Sequence, residues 1–179
     1  MTRIFTTIFI LLSVPTHAEE KQDNPFLGEQ GKVVEKTDWP GEFTKVVAVA
    51  YDFTQEKNSD LVVVDKRLHK GVFFSSQALS KSQVATLMAS ITGKHTPWRP
   101  AMCFEPHHGF VFYDKKNAII GSLSICFGCK SYQASPAGEL SRRWDLVGLE
   151  KLLNDLGTPF SDNYTKAFKE YKSQSGPGE

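Results

Sequence analysis

A mixed α+β fold, an antiparallel sheet with two packed helices in a single domain, is predicted by three observations. Runs rich in β-branched and aromatic residues stand at 44–53, 61–65 and 71–75, and two more face each other across a turn at 108–114 and 118–127. Two segments, beginning after Ser80 and Asp145, repeat apolar residues at helical spacing. The length, 179 residues with an apolar leader at its start, fits one domain able to bury its own core.

In chain order, residues 1–18 read as a secretory signal peptide: Arg3 precedes the apolar run Ile4 to Val14, and Thr16-His17-Ala18 supplies a small-residue exit. The run is shorter than the roughly 20 residues a membrane span needs, and no cysteine follows the expected cut to accept a lipid. The chain carries 21 Lys and Arg against 20 Asp and Glu, and cleavage would remove one basic residue, Arg3, leaving the charges balanced. A balanced surface gives no long-range pull on nucleic acid or anionic lipid, so the expectation is no nucleic acid, no membrane after signal removal, and at most a protein partner. The setting is expected to be periplasmic or secreted.

Residues 19–42 are polar and broken by Gly28, Gly31, Pro40 and Gly41, a leader segment whose apolar handles are Phe26, Leu27, Val33, Val34 and Trp39. The globular part is expected over 43–160. It opens with TKVVAVAYDF (44–53) and, after the polar turn TQEKNSD, LVVVD (61–65), read together as a strand pair; GVFFS (71–75) follows as a third strand. Ser80 and Gln83 then form a capping box, Val84, Leu87, Met88 and Ile91 make one apolar face, and Gly93 stands at the C-cap position. Residues 131–143 are loop-like in composition. A second helix is expected from about Asp145 to Leu156, with Leu146, Leu149, Leu152, Leu153 and Leu156 on one side and Gly157 and Pro159 as its stop. Residues 161–179 read as a flexible, weakly amphipathic C-terminal tail.

The chemistry is concentrated in MCFEPHHGFVFYDKKNAIIGSLSICFGCK, which holds all three cysteines and two of the five histidines. Its two strand-like runs around Lys115, Lys116 and Asn117 predict a β-hairpin. Pairing Tyr113 with Ala118 gathers Phe110, Phe112, Ile119, Leu123, Ile125 and Phe127 on one face, and leaves Cys103, Glu105, His107, Gly109, Ser122, Ser124 and Cys126 on the other. A one-residue slip would mix the two sets, whereas a two-residue shift, Tyr113 opposite Ile120, preserves them. Either way Cys103, Cys126 and Cys129 converge at the open end. His107 shares the Cys126 face, while His108 points to the apolar side; Pro106 cannot donate to a ladder and leaves both rings free to turn.

Export places these thiols in an oxidising compartment, and three cannot all pair within one chain. The leading expectation is a non-enzymatic metal site drawn from Cys103, His107, His108, Cys126 and Cys129. Thiolates and imidazole suit structural zinc, and Met102 beside Cys103 also admits copper(I). The alternative is one disulfide, from Cys103 to Cys126 or Cys129, plus a buried thiol, in a periplasmic binding or inhibitor/immunity-type module. A third option, thiol–disulfide oxidoreductase chemistry at Cys126-Phe127-Gly128-Cys129, lacks the following helix that would activate the first thiol. Lys130 stands where haem attachment requires histidine. No catalytic group is assigned: a Cys103–His107 pair has no evident orienting group or oxyanion hole. His69 and His95 stand in polar, loop-like contexts and read as solvated.

With these residues in place, CFEPHHGFVFYD and ICFGC together resemble a loose group of uncharacterised small exported bacterial proteins that pair a C-[FY]-x-P-x-H segment with a C-F-x-C hairpin arm. The resemblance covers chiefly 92–136. It implies a bacterial periplasmic or secreted setting and brings no activity with it. Where that group has a basic residue before the histidine, this chain has His107, so both His107 and His108 stay in the ligand set.

Overall fold

A computed structural model describes residues 33–96 and 98–174; the expected signal peptide, residues 1–18, and most of the leader lie outside the described residues. Seven strands and three helices follow in the order β1 (Lys45–Tyr51), β2 (Val63–Val64), β3 (Arg67–Leu68), β4 (Val72–Ser75), α1 (Lys81–Ile91), β5 (His108–Tyr113), β6 (Ile119–Cys126), β7 (Ser131–Ser135), α2 (Leu146–Asp155) and α3 (Tyr164–Gln174). Five strands form one antiparallel sheet in the order β4-β1-β5-β6-β7, and β2 and β3 form a separate two-stranded ribbon. This is the single-domain α+β fold that the sequence predicts, with one helix more.

The β5–β6 hairpin sets the faces. Phe110 is opposite Leu123 and His108 opposite Ile125, the alternative two residues removed from the Tyr113–Ala118 pairing, with an irregularity between Phe112 and Tyr113. The turn is closed by Asp114, whose Oδ1 accepts the Lys116 and Ala118 N–H groups at 2.8 and 2.9 Å, and by Asn117 in the left-handed region at φ 61°. One sheet face presents Val46, Ala48, Phe110, Phe112, Leu123 and Ile125 to Leu87 and Ile91 of α1 and to Leu149, Leu152 and Leu153 of α2. The irregularity carries Ile119 across to the other face, where it packs with Val47, Val49, Tyr51 and Val111.

That second face, read from sequence as polar, is covered. The segment before β2 lies down on it: Val62 N–H donates to Ser124 Oγ at 2.9 Å, and both Ser122 and Ser124 are buried. Gly109, opposite Ser124, makes the approach possible, because a Cβ there would stand 2.4 Å from the Leu123 carbonyl oxygen and 3.1 Å from Val62 Cγ1. The small residues on this face are therefore a seat for a loop and not a solvated surface.

Three further expectations are corrected. β1 does not pair with the 61–65 strand; it pairs with β4 and β5, and β2 pairs with β3 through a turn in which Asp65 and Lys66 both have positive φ. Residues Ser131–Ser135 are not loop but the edge strand β7, paired with β6. Within the segment read as a flexible tail, residues Tyr164–Gln174 form α3, which buries Phe168 against Ala50 and Phe73. The capping box and the second helix stand as expected: Ser80 Oγ accepts the Gln83 N–H while Gln83 Oε1 accepts the Ser80 N–H, and Asp145 caps α2 through Gly148 N–H. From the leader, Trp39 is buried edge-on to Phe112 and donates its indole N–H to the Pro136 carbonyl at 2.7 Å.

Because the obstacle at Gly109 is backbone, Gly109→Ala should lower stability by about 1–3 kcal/mol, the usual cost of overpacking. Urea unfolding of the purified variant checks this, and an unchanged midpoint would contradict the close approach of the Leu123 carbonyl to Gly109.

Candidate functional site

The three cysteines do come to the open end of the hairpin, but they do not form a metal centre. Cys103, in the exposed segment before β5, is bonded to Cys129, just past β6, with Cα atoms 5.6 Å apart across a sequence separation of 26. Cys126, the last residue of β6, is a buried free thiol, 4 % exposed. The expectation of zinc or copper on Cys103, His107, His108, Cys126 and Cys129 is thereby overturned. Two of the three thiolates such a site needs are spent on each other. Among the described residues no group of three or more His, Cys, Asp or Glu side chains is placed to hold a metal ion. The C-x-x-C arm is not itself bridged, and strand β7 follows it in place of a helix.

The hairpin geometry explains the pairing. Antiparallel β5 and β6 carry the segment before His108 and the turn after Cys126 to the same end of the sheet. There the Ala101 N–H donates to the Cys129 carbonyl at 2.8 Å, and Ser131 Oγ donates to the Cys103 carbonyl at 3.1 Å. Cys126, by strand alternation, faces the side of Ser124, and the N–H of Cys129 points to its sulfur at 3.2 Å.

The two histidines are both held, in different ways. His107 Nδ1 lies 3.1 Å from the Tyr51 carbonyl, an acceptor only, so this nitrogen carries the ring proton. The ring stacks on Tyr164 with centroids 3.7 Å apart and planes within 5°, and Phe53 approaches at 5.2 Å. His108, 2 % exposed, turns to the apolar side between Phe127 and Phe160. Its Nε2 donates to the Pro159 carbonyl at 3.0 Å, with the Tyr164 hydroxyl 3.3 Å away. Burial pushes the His108 pKa down to about 4, the Pro159 hydrogen bond opposing it weakly and neighbouring His107 adding to the fall. Burial also lowers that of His107, against the Tyr51 carbonyl and the charges of Asp52 and Glu105.

A polar cluster that sequence reasoning missed lies beside this end of the sheet, in the segment from Tyr51 to Gly71. Asp52 is buried, and its carboxylate accepts from the Thr54 N–H and hydroxyl at 3.1 and 2.7 Å and from Gln55 Nε2 at 2.7 Å. Burial alone would raise its pKa, but these donors outweigh it and the net shift is downward. His69, expected to be solvated, is 2 % exposed. Its Nδ1 accepts the Gly71 N–H at 2.9 Å, so Nε2 bears the proton; that nitrogen has no hydrogen-bond partner, and Glu56 Oε2 stands 3.9 Å off. Glu56 is itself gripped by Arg67 at 2.6 and 3.0 Å and by the Lys70 N–H at 3.0 Å, which hold its carboxyl down to about 2. Tyr51 closes the cluster: its hydroxyl donates to the Asp60 carbonyl at 2.8 Å, and burial drives its pKa far upward. The legible signal was Asp52 at a strand end followed by Thr54 and Gln55, a local capping pattern; nothing in RLHKG marks His69 as buried.

What this arrangement can do chemically is narrow. Apart from His69 Nε2, the imidazoles, carboxylates and phenols described above are held by partners within the fold, and no nucleophile–base–orienter sequence is assembled from them. A shallow cleft of about 440 Å³ lies between the β2–β3 turn and β6, lined by Asp65 and Lys66 on the turn and by Ile120, Gly121, Ser122 and Pro136 among others.

His108 makes stability pH-dependent. Above pH 6.5 it is neutral folded or unfolded and contributes nothing; as pH falls from 6.5 toward 4 the unfolded chain takes up a proton that the folded one refuses, and stability drops by roughly 3 kcal/mol in total. Glu56 adds a second loss below its ordinary 4.5, as its favourable charge is titrated toward 2. Proton NMR of the histidine rings should show His108 titrating near 4, with the urea midpoint falling across the same window; a midpoint near 6.5 would contradict its burial.

Comparison with protein families, with curated proteins and with solved structures finds no match to this chain.

Proposed function

We propose that this protein is an exported, disulfide-stabilised module of the bacterial periplasm or exterior that works by binding another protein, in the manner of an inhibitor or immunity-type domain. The observation that carries it is the Cys103–Cys129 bridge, a bond that oxidising surroundings favour. The apolar run Ile4 to Val14 with its exit at Ala18 supports export, and among the described residues no helix is long and apolar enough to cross a membrane. The likeness of CFEPHHGFVFYD and ICFGC to small exported proteins points the same way. Binding is favoured over catalysis because the imidazoles nearest the bridge, His107 and His108, are engaged in holding the fold. The balanced charge favours a protein partner over nucleic acid.

Intact mass after alkylation in denaturant without reductant tests the bridge. Protein recovered from the periplasm should take up one alkyl group, on Cys126; uptake of three would remove the basis of the proposal. Size-exclusion chromatography of a native periplasmic extract tests the partner, with elution as a larger complex expected and elution as the free chain alone contrary to it.

The bridge closes a loop of 26 residues, for which loop-closure entropy gives about 3.5 kcal/mol of stabilisation. Cys103→Ser should lower the unfolding free energy by a comparable amount in urea, and addition of reductant should bring the native chain to the same level.

A further inference from the structure

The bridge uses two sulfurs, and the third sits on the backbone of Cys129, one of the bridged residues. Cys126 and Cys129 are each 4 % exposed, they flank the turn that ends β6, and the Cys129 N–H is aimed at Cys126 Sγ at 3.2 Å. The residue that carries one half of the disulfide therefore also holds the free thiol in position. The other half, Cys103, lies in an exposed segment. Apart from the sulfur bond, the two hydrogen bonds from Ala101 N–H and Ser131 Oγ tie that segment to this turn. At Gly128, between the cysteines, an added Cβ would meet nothing within 4 Å, and the turn is closed by the Lys130 N–H donating to the Phe127 carbonyl at 3.2 Å.

We propose that Cys126 is the internal nucleophile of a thiol–disulfide exchange centre, trading Cys103–Cys129 for Cys126–Cys129 and so presenting the Cys103 thiol to an external disulfide. The inference rests on the bridge that carries the proposed function. In the first step Cys126 loses its thiol proton and its sulfur bonds to Cys129 Sγ; the Cys129–Cys103 bond breaks, and the electron pair leaves on Cys103, which takes up a proton from water. One thiol and one disulfide are present before and after, so no oxidant or reductant is consumed. In the second step the Cys103 thiolate attacks one sulfur of the external disulfide, forming a mixed disulfide and releasing the other half as a thiolate. The exchange moves the one reactive sulfur from a buried strand end to the surface, and it replaces a cross-link spanning 26 residues by one spanning three, which frees the segment before β5. An odd cysteine in an exported chain acquires a use in this way: it is the resolving partner of a surface thiol.

Oxidised glutathione is the probe. The full oxidised chain is incubated with it under native conditions, quenched in acid and mapped by mass spectrometry of unreduced peptides. The expected product carries glutathione on Cys103 with Cys126 bonded to Cys129. Cys126→Ser should lower glutathione on Cys103 by at least about tenfold, since nothing then releases it from Cys129. Cys126→Ala is the companion variant, with circular dichroism confirming the fold of each. Glutathione on Cys126 with Cys103–Cys129 intact, or no adduct in the native state, overturns the exchange and leaves the bridged module standing. Three alkylatable cysteines before treatment would overturn both together.

Discussion

The register of the β5–β6 hairpin is the constraint on which the rest depends. With Phe110 opposite Leu123 and His108 opposite Ile125, Phe110, Phe112, Leu123 and Ile125 fall on one face, where α1 and α2 cover them. The same alternation sends Gly109, Ser122 and Ser124 to the other face, where their small size lets Val62 and its loop lie against the sheet. A slip by one residue would mix the two sets and turn large rings toward the face where Val62 lies against Gly109 and Ser124. The disulfide follows from this register, because the antiparallel strands bring the chain before His108 and the chain after Cys126 to one end.

That end is where polar chemistry has been taken inside. His107 is clamped flat on Tyr164, His108 is sunk between Phe127 and Phe160, and Asp52 and Glu56 are wrapped by donors from their own segment. Each of these groups has a partner that fixes its position, which makes the region stiff at neutral pH and sensitive to acid. His69 is the exception, with a buried N–H that faces Glu56 across a gap too long for a hydrogen bond. The bridge and the imidazoles thus act mainly as architecture, and the one sulfur left out of that architecture is the thiol of Cys126.

Much of the local structure was legible because it is encoded within a few residues. The capping box at Ser80 and Gln83, the leucine stripe of α2 and the parity of the hairpin depend on spacing alone, and all three stand as read. β7 was not legible: SYQAS is polar and short, and it becomes a strand because β6 offers it a free edge. α3 was read as tail because its overall composition is polar, although Tyr164, Phe168 and Tyr171 recur at helical spacing and Phe168 finds a seat on Ala50 and Phe73. The 61–65 run looked like the partner of β1, but strand composition says nothing about which strand a neighbour will be, and β1 took β4 and β5 instead.

The sequence by itself determined the α+β class, the helix ends, the two faces of the hairpin and the convergence of three cysteines, since each is a matter of period or of short-range capping. Only the tertiary structure decided which sulfurs pair, that the serine-lined face is covered, and that His69 and Asp52 are buried. Those outcomes turn on distances between residues far apart in the chain. Cysteine and histidine have the same composition signature whether they meet a metal, a second thiol or a carbonyl, and what separates these fates is which group the fold places within reach.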